Sequence, residues 1–236
     1  MDTERTRRPD AGASKLTISL AVCLAVASAG CTVLRSAANP ELVAASEHGA
    51  AIEISDALES LIDKGRDTPA DREYAWEAVK ARPALTAPDL FARAAVGGRL
   101  VQSKGLRGAP LLAEVEEFAR QSRTLDPDFR NSAATRLLGT LYVMAPAKFL
   151  RHGNSETGID LLEELTGKGP DVPENQLRLA EAYVSLSDAD SARPHLCRCL
   201  EHKAALRPDD QHLLTHLIEE IGTPECGGVG EGTPPH

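Results

Sequence analysis

The chain writes one short helix face twice, as "RLLGTLY" at 136–142 and "LRLAEAY" at 177–183. In each, a leucine stands directly before a small residue (Leu138-Gly139, Leu179-Ala180), and a tyrosine follows three residues after it (Tyr142, Tyr183). The pair Pro-Asp recurs on a similar scale, at Pro88-Asp89, Pro127-Asp128, Pro170-Asp171 and Pro208-Asp209, with intervals of 39, 43 and 38 residues. Proline closes one helix and aspartate can cap the next, so each pair predicts a corner between helices. Units of about 40 residues bounded by such corners read as helical hairpins. The apolar residues are mainly Ala and Leu, with only 3% aromatic residues, which favours helix over strand. The expected fold class is therefore all-α. A net charge of −9 argues against a general nucleic-acid binder, which needs clustered Lys and Arg.

The small residues say how the hairpins close. Two antiparallel helices nest only where the facing side chains are small, and a tyrosine can fill the wedge toward the next hairpin. Ala180, Tyr183, Ala192, Leu196 and Cys199 form a pattern that resembles the tetratricopeptide repeat, and Gly139, Tyr142, Gly158, Leu162 and Leu165 repeat it. The resemblance implies a superhelical array of hairpins across 46–222. Two departures lengthen the period: seven residues inserted around "APAKFLRHGN", and about one extra turn between Cys199 and Pro208. Solenoids of the HEAT type share the longer period, whereas the Leu-small-x-x-Tyr signature favours the tetratricopeptide reading. Upstream, helices are expected over 50–65, 71–83, 89–104 and 111–129, with Gly97 in a small slot, Phe118 inside, and Ala75 and Ala78 facing inward. A last amphipathic helix over 211–221 would cap the array. The Gly- and Pro-rich tail 223–236 is expected to be disordered.

Residues 1–30 carry a basic start (Arg5, Arg7, Arg8, Lys15) and a 15-residue apolar run, short for a membrane span of about 20. The run ends in Ser28-Ala29-Gly30-Cys31, which resembles the lipobox of bacterial lipoproteins, although those usually have Leu, Val or Ile where Ser28 stands. The resemblance implies a cleaved signal peptide over 1–30, lipidation of Cys31 and a lipid-anchored tether over 31–45. Arg7-Arg8 does not continue into a twin-arginine motif. Thr32 is not the aspartate that retains such proteins at the inner membrane of Gram-negative cells, so the family rule implies the periplasmic face of the outer membrane.

The lipobox, the tether and the hairpins with "LLGTLYVMAP" before a long insertion together look like the T-component lipoproteins associated with TRAP transporters. That resemblance implies a periplasmic helper that engages a solute-binding protein and its ligand. Pilotins and barrel-assembly lipoproteins share the same plan. The expected role is a protein-binding scaffold of the cell envelope without catalysis; the competing class is a cell-wall enzyme with an unrecognised site.

No residue is assigned as catalytic, and no cofactor or metal is expected. Thr166-Gly167-Lys168-Gly169 lacks the earlier glycine and the following Ser or Thr of a phosphate loop, and reads as a helix end. His212 and His216 have zinc-chelating spacing but Leu213 stands where a zincin needs Glu. His195, Cys199 and His202 share a helix face, with Cys199 read as a packed thiol. Cys197 and Cys199 point to opposite sides of a helix, so Cys197 is free to pair with Cys226 and staple the tail. Arg93, Arg99, Lys104 and Arg107 make a basic side opposite Glu114, Glu116 and Glu117, read either as solvated ion pairs or as an anion-binding groove. The partner-binding candidates are Lys148, Phe149, Arg151 and His152, in the insertion that breaks the repeat.

Overall fold

The computed structural model describes residues 38–226, which lie within one compact unit. The described residues are helical, with no strand among them. The α-helices are α1 (Pro40–His48), α2 (Ala51–Asp63), α3 (Pro69–Lys80), α4 (Ala87–Lys104), α5 (Leu112–Leu125), α6 (Phe129–Met144), α7 (Ser155–Lys168), α8 (Pro173–Ser185), α9 (Ala189–Glu201) and α10 (Pro208–Ile221). Short 3-10 turns lie at Gly105–Leu111, Ala147–Phe149 and Lys203–Ala205. The extra residues between Cys199 and Pro208 thus form a separate 3-10 turn after α9 rather than lengthening it. The signal peptide, Cys31 and most of the tether lie outside the described residues, as does the tail 227–236. Among the described residues, no helix is long and apolar enough to cross a membrane.

The corners fall where the Pro-Asp pairs stand, by a different arrangement. At the start of α4, Thr86 is the cap and Pro88 lies in the first turn; Asp89 closes a capping box by accepting from the Thr86 hydroxyl at 2.6 Å. Pro208 opens α10, with Asp209 and Asp210 in its first turn, where the helix dipole favours carboxylates. At Pro127-Asp128 the chain enters α6 through a left-handed turn, residues 130–132, with φ of 50°, 54° and 59°. Asn131 tolerates that region, while Arg130 and Ser132 adopt it against their preference.

Consecutive helices pack on one another, and α2, α4, α6, α8 and α10 also touch in succession. The small slots are real close approaches. A Cβ on Gly97 would meet Val115 Cγ2 at 2.7 Å, and one on Gly158 would meet the Gly139 carbonyl at 2.7 Å. Ala180, Ala192, Leu196 and Cys199 are fully buried between α8, α9 and α10. The tyrosines, however, point to the preceding hairpin, not the next. Tyr142 clusters with Ala94 of α4 and Ala119 of α5, and the Tyr183 hydroxyl donates to Glu163 on α7.

Two boundaries move. The folded body begins by Pro40 rather than after residue 45, because α1 packs on α2 and α3 and buries Leu42 completely. Residues 223–226, expected to be disordered, are held: Cys226 is bonded to Cys197 and Pro224 is buried. Among the described residues Cys199 is the free cysteine; its buried thiol is pushed up to about 12 by burial and by the carboxylates of Asp210 and Glu174.

A contact that the repeat pattern did not suggest joins α10 to α2. Arg207, just before α10, donates to Glu59 Oε2 at 2.7 Å and to Asp63 Oδ1 at 2.9 Å on α2. Arg99 on α4 bonds Glu59 at 2.7 Å and lies 2.9 Å from Asp209. Burial opposes the charge on Glu59, yet the two guanidiniums outweigh it and hold its carboxyl below the usual range. The same carboxylates hold Arg99 and Arg207 charged despite their own burial.

Candidate binding site

The helices α2, α4, α6 and α8, together with Arg207, surround a cavity of about 1000 Å³. Its apolar wall includes Phe91, Leu112, Val115, Leu137, Leu141 and Phe149. These residues face the cavity because one stripe of each helix is left uncovered when its opposite stripe packs into the hairpin seams. Leu106 and Met144 also line it and are 88% and 50% exposed, so the mouth is apolar as well. Concave, mainly apolar spaces with a few polar groups are where proteins hold ligands.

The inserted segment 145–154 borders this space. Pro146 stops α6, and Phe149 is half-buried against the cavity with the Lys148 ammonium 5.0 Å from its ring centroid. Of the four partner-binding candidates, Phe149 is part of the wall, while Lys148, Arg151 and His152 are exposed. The loop is anchored from beneath. Glu116 on α5 is 0% exposed, and its two carboxylate oxygens accept from the backbone N–H of Arg151 at 2.7 Å and of His152 at 2.8 Å. Gly153 then lies so flat on the Tyr142 ring that a Cβ there would meet it at 2.5 Å. Burial and the neighbouring Glu116 carboxylate push the Tyr142 phenol up to about 12.

Neither expectation for the acidic side, solvated ion pairs or an anion-binding groove, holds for Glu116, which is fully buried for a legible reason. It sits one residue after Val115 and three before Ala119, both fully buried, so it falls on the inward stripe of α5. Arg136 and the Glu59–Arg207 contact were also missed, and no local spacing marks them.

The basic side resolves into separate partners. Arg93 donates to the carbonyls of Lys80 and Arg82 at 3.2 and 2.6 Å, covering the end of α3. Arg99 joins the contact between α2, α4 and α10, Lys104 pairs with Glu73 at 2.6 Å, and Arg107 is exposed. The histidines are not brought together. His212 and His216 are exposed, and His195 stacks on Tyr183 with its Nδ1 2.7 Å from Gln176 Oε1. Burial holds the His195 imidazole below its usual range. Among the described residues, no cluster of three metal-ligating side chains occurs. Thr166-Gly167-Lys168-Gly169 is the end of α7, with Gly169 its cap.

Comparison with known protein families and with curated proteins finds no match to this chain.

Proposed function

We propose that the protein is a lipid-anchored binding module of the cell envelope, a superhelical array of tetratricopeptide-like hairpins that captures a partner protein without catalysis. The observation that supports it most is the anchored loop 145–154. Its exposed cations Lys148 and Arg151, with the exposed His152 beside them, stand on a backbone fixed by the buried Glu116, beside the apolar mouth formed by Leu106 and Met144. Positive side chains on a rigid loop of a chain with net charge −9 suit a partner with an acidic patch. The resemblance to T-component lipoproteins of TRAP transporters makes a solute-binding protein of the periplasm the first partner to test. Lipidation at Cys31 and the outer-membrane location follow from the lipobox resemblance.

One experiment addresses both parts. The tagged full chain is expressed in a Gram-negative host, the envelope is fractionated, and partners are captured from it. Cys31→Ser should move the protein to the soluble fraction, because several acyl chains are needed for a firm anchor. Replacing Lys148 and Arg151 by Ser should abolish capture of the partner while leaving the melting temperature unchanged, since both side chains are exposed. Adding Phe149→Ser should lower the melting temperature, because that ring is cavity wall. Quantitative membrane association of Cys31→Ser would refute the anchor, and full capture by the loop variant would refute the loop as binding element.

A further inference from the structure

The charges around the cavity do not balance. Five arginines line it, Arg99, Arg130, Arg136, Arg178 and Arg207, against the carboxylates of Asp56, Glu59, Asp63 and Glu181. Each of those carboxylates is already taken. Asp56 holds Arg130 at 2.6 Å, Glu59 holds Arg99 and Arg207, Asp63 holds Arg207, and Glu181 holds Arg178 at 2.8 Å. Arg136 is the one left over. Among the described residues no carboxylate lies within ion-pair distance of it. Its Nη1 is satisfied by neutral acceptors, the Asn131 carbonyl at 3.0 Å and Asn175 Oδ1 at 2.7 Å. These two bonds fix the guanidinium in place and leave Nε and Nη2 as donors. Burial works against the charge on Arg136 and, with repulsion from Arg178, outweighs the pull of the Glu174 and Asp210 carboxylates, so the tendency of Arg136 to hold its proton is lowered. A half-buried guanidinium with no carboxylate in direct contact is a costly arrangement that an incoming anion would relieve.

We propose that the cavity is a binding site for a small amphipathic anion, a single carboxylate on a hydrocarbon body, with Arg136 holding the carboxylate. The head fits because a guanidinium edge matches a carboxylate by two parallel hydrogen bonds. The body fits because Leu137 and Leu141 continue from Arg136 along α6, and Phe91, Leu112, Val115 and Phe149 face the same space. A peptide is the poorer occupant. Its backbone would bring N–H and C=O groups into a site whose charged lining is already committed to ion pairs, and each unmatched group would cost free energy. The volume of about 1000 Å³ lies at the upper end of small-molecule sites, which run to about 1,000 Å³. The site does not depend on whether the loop 145–154 captures a protein.

The test is calorimetric titration of the purified full chain carrying Cys31→Ser, so that no attached acyl group competes. The probes, kept below their micelle concentrations, are dodecanoate, dodecyltrimethylammonium, acetate and an apolar hexapeptide with a free C-terminus. Dodecanoate should bind with one site per chain, at least tenfold more tightly than the ammonium of equal chain length, and acetate should not register. Arg136→Met should weaken dodecanoate at least tenfold and leave the ammonium unchanged; Arg136→Lys should recover part of the loss. Helical content and melting temperature, measured on each variant, establish that it is folded. Equal affinity for the two dodecyl probes, dodecanoate binding untouched by Arg136→Met, or no dodecanoate binding at all would each overturn the proposal. Hexapeptide binding tighter than dodecanoate would overturn the assignment of ligand class.

Discussion

Glu116→Ala is expected to lower the stability of the folded chain by about 3 kcal/mol, a large effect for one residue of a helical protein. The carboxylate is fully buried, and both oxygens accept from the inserted loop, at the Arg151 and His152 amides. Hydrogen bonds to a charged acceptor contribute about 1.5–3 kcal/mol each, and part of that returns when the freed amides of an exposed loop reach water. Glu116→Gln is nearly isosteric and keeps one oxygen. Its amide group would set a donor against a backbone donor, so it should lose most of the same stability. Denaturant melts give the magnitude, and hydrogen exchange gives the location. The Arg151 and His152 amides should lose protection before the helices do. A melt unchanged in both variants would mean that the loop is not held by this carboxylate, and the case for a rigid binding element would fall with it.

The second large effect concerns the helix seam that the sequence wrote twice. Gly158→Leu should destabilise by about 3 kcal/mol, because a Cβ alone would meet the Gly139 carbonyl and Val143 Cγ2 at 2.7 Å each. Neither neighbour is a flexible tip, so α6 and α7 must separate. Gly167→Ala on the same helix is the control: nothing lies within 4 Å of a Cβ there, and the gain in helix propensity of up to about 1 kcal/mol should make it neutral or stabilising. Opposite signs for the two glycines of α7 place the seam; equal signs would remove Gly158 from it. On α8, Glu181 looks exposed from its place in "LAEAY", but it is paired with Arg178 and lines the cavity.

What was legible in the sequence was whatever depends on near neighbours in the chain. Gly97, Gly139, Gly158, Ala180 and Ala192 mark the helix contacts because close approach admits only small side chains, and helix periodicity puts them on one face. The Pro-Asp corners were legible as positions, although Thr86 rather than the aspartate caps α4. The opposed directions of Cys197 and Cys199 excluded a bond between them and left Cys197 available to Cys226, the pairing that the structure shows. What depends on the third dimension was not legible. Arg207 and Glu59 are 148 residues apart and carry no motif. The place of Phe149 in the cavity wall could not be read from "APAKFLRHGN", because nothing in that stretch shows the cavity beneath it. Arg136 stands in the repeated face itself, and its lack of an ion-pair partner emerges only once the carboxylates around it are seen to be taken.

The contact that brings α10 to α2 sets Arg207 at the edge of the cavity. In an open array each unit touches only its neighbours, and residues at the two ends share no energy. A double-mutant cycle between Glu59→Ala and Arg207→Ala, by denaturant melts at pH 7 and low salt, measures that shared energy directly. The lowered carboxyl of Glu59 adds a sign. Its stabilisation is complete above the unfolded value of about 4.3 and is lost as the pH falls through the folded one, so the coupling should shrink in acid. Solvent screening at Arg207, whose side chain is 38% exposed, limits the expected coupling to about 1 kcal/mol. A coupling of that size at pH 7, reduced below pH 4 or so, is the result predicted for the closed array; single-mutant effects that simply add would contradict it.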